Sequence, residues 1–453
     1  MPAKDGRSEG WEAVLGNLAR VRMAVRGAVP GTRMRDAFGV RRAFRRGSQT
    51  PHGAMPSFPL EGLICTCVIK WVKYSLGGNV TMRNDSAAMR RHEVLRLVWR
   101  AGEASLSDLH RTTGMRPNTL GEDLDALVRA GLLRPKAVQV RGRGRPRVPF
   151  EIDPERRNVL GLALKRGQVE VGRLNLLGKY LGDPTSLPAE GSVRMLTAAR
   201  SLLKGQLDRT TLSVGIATPG FVDLERRAIL RHPGCETSDP IDLEPLCRLA
   251  GRRPVILEND LQALAARWLL TRKTGPREDM LLVHFDDGEM GAALLIDGRP
   301  NRGCVSGANE LGHARFPVPT ARCFCGHTGC LERICSTDFL MRNGADVRTL
   351  QQRAAAFVGT NDPGLDEVIR YLALGFANAV NFSRVRRLVL VSSLLRHAAF
   401  LETLLKGIRR QLMEVLASRV EIEVWDRPVL RLAETAGWLA LAAWLLPGWD
   451  RNR

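Results

Sequence analysis

His313, Cys323, Cys325 and Cys330 fall close together in the string GHARFPVPTARCFCGHTGC. Three thiolates and one imidazole match the softness and ligand number of tetrahedral zinc, and four protein ligands leave no open position for catalysis. The expected cofactor is therefore a structural zinc ion. Gly326 and Gly329 would let the backbone turn tightly enough for Cys325 and Cys330 to face one ion. Such a loop has little apolar core of its own, so the metal would supply what packing does not, with an apparent binding free energy on the order of 10 kcal/mol or more. The bland alternative is a set of buried or redox-active thiols beside an unrelated histidine, and the closeness of the four positions weighs against it. His327 is a rival fourth ligand, and Cys335 reads as a helix-buried thiol rather than a fifth donor.

A second chemistry is polyanion binding. The 453 residues carry a formal net charge of +21, a field that attracts nucleic acid, although Arg outnumbers Lys so heavily that compositional bias competes as an explanation. The segment Arg141-Gly142-Arg143-Gly144-Arg145-Pro146-Arg147 is more specific. An extended ribbon of this kind follows a narrow A·T-rich minor groove, where negative potential is deepest; a flexible interdomain linker is the bland reading. Just upstream, apolar residues recur at helical spacing: Val94, Leu95, Val98 and Trp99, then Leu106 and Leu109, then Leu120, Leu124, Leu127 and Val128. Three helices are predicted between Ser86 and Arg134, with Ser107 capping the second, Gly114 in the tight turn and Pro117 opening the third. In a winged helix the third helix enters the major groove, so Arg116, Asn118 and Thr119 are the expected base and phosphate contacts. Gly121, Glu122, Asp123 and Asp125 make the middle of that helix acidic and confine the contact to its first turn.

These elements divide the chain. Residues 1–84 form a basic arm, Arg-, Gly- and Pro-rich and expected to be poorly ordered; Met82 would open a complete domain, so the arm is read as an extension upstream of the natural start. Residues 85–150 are the winged helix-turn-helix with its basic ribbon, and residues 151–453 are an α/β domain containing the zinc loop 313–330. Its predicted strands are Val159–Leu164, Val169–Leu174, Leu212–Ile216, Val255–Leu257, Met280–Phe285, Ala292–Ile296 and Leu388–Val391. Its predicted helices are Leu261–Leu270, Leu365–Asn381 and Leu401–Leu416. An odd count of nine cysteines argues against a disulfide framework. The apolar run Leu60–Val72 is short of the ~20 residues that span a bilayer, so no membrane partner and a cytoplasmic location are expected.

Three strings resemble motifs of the ROK (repressor, open reading frame, kinase) family: GIATPGFVD at Gly215–Asp223, LENDLQALAA at Leu257–Ala266, and GANELGH with CFCGHTGCLE between Gly307 and Glu332. The resemblance runs from about Met89 to the C-terminus. It implies an actin-like, hexokinase-type (RNase H-like) pair of α/β lobes behind a winged-helix head, with Asn259, Asp260, Glu310, His313 and Glu332 contacting sugar hydroxyls. His313 would then serve twice, one ring nitrogen on zinc and the other toward the sugar. A strand-to-helix cap is the bland reading for Asn259 and Asp260, and a solvated carboxylate for Glu310 and Glu332. The resemblance further implies a homodimer or higher homo-oligomer, operator DNA as partner and a sugar or sugar phosphate as effector.

Kinases of this family hold ATP with glycine-rich loops and use the counterpart of Asp260 as base. Here the first loop reads Ala163-Leu164-Lys165-Arg166-Gly167, without the magnesium carboxylate and paired glycines of Asp-x-Gly-Gly-Thr. The second reads Asp286-Asp287-Gly288-Glu289, placing acids where phosphates would sit, and the third reads Val391-Ser392-Ser393-Leu394. The expectation is a sugar-responsive transcriptional regulator, a repressor of carbohydrate metabolism, and not an enzyme. The alternative is a ROK-type sugar kinase with an appended DNA-binding head, in which Asp260 would be catalytic.

Overall fold

The structure, a computed structural model, describes residues 86–136, 148–235, 239–272, 278–303, 305–343, 347–359, 362–425, 432–446 and 449. All belong to one compact unit, Thr81–Arg453. The arm of residues 1–84 and Arg141, Arg143 and Arg145 lie outside the described residues.

Helices α1 (Ser86–Ala101), α2 (Leu106–Thr113) and α3 (Pro117–Arg129) form the head. Val94, Leu95, Val98, Trp99, Leu109, Leu120, Leu124 and Leu127 are all buried, as their spacing predicts. The cap of α2 is a correction. Ser105, not Ser107, precedes the helix: its hydroxyl accepts from the Asp108 N–H, and the Asp108 carboxylate accepts from the Ser105 N–H at 3.1 Å. This reciprocal box satisfies two end donors and leaves Ser107 inside the first turn. Gly114 does close α2, in a left-handed conformation at φ 68°, and Pro117 opens α3. The acidic middle of α3 also differs from expectation. Asp123 is fully buried and accepts from Arg90 Nε at 3.0 Å and Arg91 Nε at 3.1 Å, tying α3 to α1, while Glu122 and Asp125 stay exposed.

A small antiparallel sheet backs the helices: β1 (Glu103–Ser105) and β2 (Leu133–Pro135) flank β3 (Pro149–Ile152). β3 returns to the head and runs two residues past Phe150. The described strands on either side of the basic segment Arg141–Arg147, β2 and β3, pair antiparallel.

Two five-stranded sheets follow. The first contains β4 (Asn158–Lys165), β5 (Gln168–Asn175), β6 (Thr185–Pro188), β7 (Thr211–Thr218) and, after the small sheet β8 (Phe221–Asp223), β9 (Ala228–Arg231) and β10 (Ile241–Asp242), the edge strand β11 (Val255–Asn259). The second contains β12 (Met280–Asp286), β13 (Glu289–Ile296), β14 (Arg299–Pro300), β15 (Arg387–Val391) and β16 (Glu421–Val424). Their orders are β11-β7-β4-β5-β6 and β14-β13-β12-β15-β16. In each, a central strand pairs antiparallel with its successor on one side and parallel with a later strand on the other. That repeated topology makes the two α/β lobes of the actin-like class. Helices α4 (Gly191–Gln206), α5 (Glu244–Leu249) and α6 (Asp260–Arg272) belong to the first lobe, and α7 (Leu331–Ile334), α8 (Pro363–Ser383) and α9 (Ala398–Gln411) to the second. The predicted helix Leu401–Leu416 is interrupted: α9 ends at Gln411, where Asn381 Nδ2 donates to Gln411 O at 3.2 Å and Asn381 Oδ1 accepts from Met413 N at 3.0 Å.

The last helix, α10 (Leu432–Leu445), returns to the first lobe and lies across β4 and β7. Its approach is so close that a Cβ on Gly215 would meet Ala436 O at 1.9 Å, and one on Gly161 would meet Ala433 O at 2.0 Å. α10 also meets α6 through the buried pair Arg267 Nη2–Glu434 Oε1, 2.6 Å. On its far side it carries the head: Trp438 meets Trp99 edge-on at 6.5 Å, Trp444 stacks on His92 at 5.3 Å, and Trp99 Nε1 donates to Leu176 O at 3.4 Å. Among the described residues no helix is long and apolar enough to cross a membrane. Because the clash at Gly215 is with backbone, Gly215→Ala should destabilise the fold by about 3 kcal/mol, read as a lower urea midpoint with unchanged slope.

Candidate metal centre and ligand cleft

The donor atoms of His313, Cys323, Cys325 and Cys330 all lie within 4.8 Å of one another. Cys325 Sγ and Cys330 Sγ are 3.5 Å apart, and Cys323 Sγ is 3.6 Å from His313 Nδ1. A tetrahedral ion with Zn–S of ~2.3 Å spans sulfur pairs of roughly 3.8 Å, so the cage fits a zinc-sized ion. The local sequence builds it. Gly329 sits at φ 79°, where a Cβ would strike Phe316 O at 1.9 Å, and Gly326 sits at φ 87°, so both turns need glycine. Cys323 N donates to His327 O at 2.8 Å, and Gly326 N to Cys323 O at 3.1 Å, closing the knuckle.

The thiols are electrostatically unequal. Burial pushes Cys323 up to about 12, whereas the His327 backbone N–H brings Cys325 down to about 6. A cation is what would hold all three as thiolates. His327 Nδ1 lies 3.6 Å from Cys325 Sγ but outside the four-donor cluster, so the geometry favours His313 over its rival.

The cage abuts the candidate ligand residues. Cys330 immediately precedes α7, which carries Glu332; Cys323 Sγ donates to Glu332 Oε1 at 3.4 Å, and His313 Nδ1 is 3.8 Å from the same oxygen. The other imidazole nitrogen, Nε2, lies 3.6 Å from Glu310 Oε2. His313 thus turns Nδ1 to Cys323 and Glu332 and Nε2 to Glu310. Burial raises the Glu310 carboxyl above the usual range, with Glu332 and Asp260 adding repulsion.

Asn259 ends β11 and Asp260 begins α6, one residue apart at the carboxyl end of an edge strand. Asn259 Nδ2 donates to Gly220 O at 2.9 Å, and its Oδ1 accepts from Leu261 N at 2.9 Å, so the capping reading holds for this side chain. Asp260 Oδ1 accepts from the same N–H at 2.9 Å. Burial pushes Asp260 up to about 6, tempered by nearby His284. Glu332, 5% exposed, is not a solvated carboxylate, whereas Glu310 is exposed and keeps that reading.

Two supporting residues escaped the sequence reading. Asn309 Oδ1 accepts from Leu294 N at 2.7 Å while its Nδ2 donates to Asn301 O at 3.3 Å, which pins the loop bearing Glu310 and His313. Gln262, fully buried on α6, reaches the same loop through Gly307 O at 3.3 Å. A polar residue on the otherwise apolar face of LQALAARWLL was the available signal for Gln262.

The loops at the other side of the cleft are tight hairpins. Lys165 pairs with Glu170 across the Arg166-Gly167 turn. Asp286, before the Asp287-Gly288 turn, accepts from Ser393 N at 2.9 Å, Ser393 Oγ at 2.6 Å and Ser392 Oγ at 3.1 Å. Burial alone would raise Asp286, yet hydrogen bonds from His284 and Ser393 hold it below the usual range. In the head, Arg116 and Asn118 are exposed at the start of α3, and Thr119 is half-buried.

This repeated two-lobe fold, with a Cys3His knuckle beside a carboxylate-lined cleft, has known relatives. The ROK family profile matches residues 175–444, more than half of the chain, and the chain belongs to that family. It is 26% identical over 257 residues to the DNA-binding transcriptional repressor Mlc of Escherichia coli (strain K12), covering 55% of this chain and 63% of that protein. It is 23% identical over 256 residues to the xylose repressor of Caldicellulosiruptor bescii, covering 54% and 62%. These matches span less than two thirds of the repressors' length. A glucokinase of Halalkalibacterium halodurans matches at 22% over 231 residues, 46% of this chain and 68% of the enzyme. Among solved structures, a ROK family transcriptional regulator described as a homolog of E. coli Mlc shares the fold with a TM-score of 0.65 at 22% identity, covering 79% of this chain and 97% of that one.

Two outcomes are expected. Purified protein should contain one zinc per chain by elemental analysis, and Cys330→Ala should lose it together with most of the thermal stability; metal-free native protein of unchanged Tm would refute the cage. Asp260, raised from 3.8 to about 6, binds its proton more tightly folded than unfolded, so it costs stability that appears as pH rises from about 4 through 6. Asp260→Asn should accordingly raise stability by about 1–3 kcal/mol at pH 8 and by nothing measurable at pH 3.5, as followed by denaturant melts at the two pH values.

Proposed function

We propose that this chain is a sugar-responsive, DNA-binding transcriptional regulator, acting as a repressor, whose cleft binds a sugar without phosphorylating it. The observation that carries the reading is Asp286. The resemblance assigns nucleotide holding to the β12–β13 turn and to the Val391–Leu394 segment, and Asp286 joins the two with three hydrogen bonds. An anionic carboxylate takes the donors that a phosphate would need and repels the phosphate itself. Meanwhile Asn259, Asp260, Glu310, His313 and Glu332 remain gathered on the other side, where a sugar lacking the matching hydroxyls would leave buried polar groups unpaired. The repressors among the relatives support the regulatory role.

In this reading the domains are the basic arm 1–84, the winged-helix head 85–150 and the sensor 151–453. The zinc is structural, and it orients His313 and Glu332. Arg116, Asn118 and Thr119 meet the major groove while Arg141, Arg143 and Arg145, in the wing between β2 and β3, follow the minor groove. The protein works in the cytoplasm as a homodimer or higher homo-oligomer, since operators are commonly two-fold symmetric. Sugar binding shifts the population between lobe arrangements and so changes operator affinity.

One observation favours a second reading. Asp260, pushed up to about 6, lies in the range useful to a general base, as a hexose kinase would require. The deciding experiment combines operator binding with turnover. Fluorescence anisotropy on DNA upstream of the gene and its neighbours should show affinity changing about 5–150-fold with one member of a sugar panel, and Arg143→Ala with Arg145→Ala should flatten the salt dependence. Robust ATP-dependent phosphorylation of any hexose in a coupled assay would overturn the sensor in favour of the kinase.

A further inference from the structure

We propose that a small phosphorylated metabolite binds in a second site, a cavity at the seam between α1 of the head and the first lobe. The cavity, of about 250 Å³, is lined by His92 from α1, Trp444 from α10, and Arg227, Arg252 and Arg253 from the lobe. Among the described residues no carboxylate lines it. Three guanidiniums, of which only Arg227 has an acid partner, Glu244, form a site for an anion, and their planar forks match phosphate oxygens in particular.

The cations are held differently, and together they make the site specific. Arg253 is preorganised: its Nε donates to Thr211 O at 3.0 Å, one terminal nitrogen to Ala250 O at 3.2 Å and the other to Asp208 O at 2.7 Å. Backbone carbonyls fix the side chain without cancelling its charge. Arg252 is exposed and makes no ion pair among the described residues, so it is free to close on a ligand. Arg227 shares its charge with Glu244 at 3.1 Å and is held at φ 52°, a left-handed backbone that non-glycine residues rarely adopt.

The remaining wall selects what carries the phosphate. Trp444 stacks on His92 with ring planes 2° apart and anchors its Nε1 on Ser213 Oγ at 3.1 Å, leaving an aromatic wall suited to the apolar face of a sugar ring. A volume near 250 Å³ admits one ring with its phosphate and excludes a dinucleotide. The adjoining cavity shares Arg227 and Cys247 but carries Asp223 and Glu225 beside the Glu258–Arg302 pair, and its two further acids disfavour an anion there. A ligand here touches the head through His92 and the lobe through Arg252 and Arg253. It therefore binds best to this placement of the head and stabilises it.

The site is independent of the cleft around Asp260 and stands whether or not that cleft takes sugar. The test titrates the full chain with glucose 6-phosphate, glucose and inorganic phosphate, followed by calorimetry and tryptophan fluorescence. Glucose 6-phosphate should bind more tightly than inorganic phosphate, Arg252→Ser should weaken it at least tenfold, and Trp444→Phe should remove most of the fluorescence change. Glu310→Gln, in the cleft, should leave the affinity within twofold. No phosphate-dependent binding at millimolar concentration overturns the proposal, as does equal affinity for inorganic phosphate. Binding lost in Glu310→Gln but kept in Arg252→Ser also overturns it, by placing the ligand in the cleft.

Discussion

One imidazole ring stands between the metal cage and the ligand cleft. His313 directs Nδ1 to Cys323 and Nε2 to Glu310, so whatever fixes the sulfurs fixes the orientation of the ring. Glu332 lies beside the same knot: its Oε1 is 3.4 Å from Cys323 Sγ, and Cys330 immediately precedes its helix. A short irregular loop cannot set two recognition side chains by packing alone, since it has few apolar atoms to bury. Soft-donor coordination by the Cys3His cluster would do so.

Much of this was legible before any coordinates. The seven strands expected from apolar runs all exist, because strands buried on both faces carry near-continuous hydrophobic sequence that stands out from its surroundings. The four metal donors were legible for a different reason: their chemistry is specific and their spacing is local. The cleft residues were not legible from pattern alone. Asn259 and Asp260 lie some fifty positions from Glu310 and His313, and only the family resemblance joined them.

What escaped reading has physical causes. Leu432–Leu445 is apolar around its whole circumference, so it lacks the amphipathic period by which helices are recognised. Ser105 and Ser107 are equally good caps by residue type, and the choice fell to Asp108, whose carboxylate reaches back three residues and no further. Asp123 looked like solvent-facing charge because its partners, Arg90 and Arg91, sit on another helix. Gln262 and Asn309 act by bracing a loop from a distance, which leaves no local signature.

The contact of α10 with β4 and β7, glycine against backbone carbonyl, has a mechanical corollary. A helix seated that deeply has no room to slide, and the same helix bears the tryptophans on which the head rests. The head is consequently braced on the first lobe through α10. A rotation between the two lobes would therefore carry the head with the first lobe and move the Cys3His knuckle relative to both.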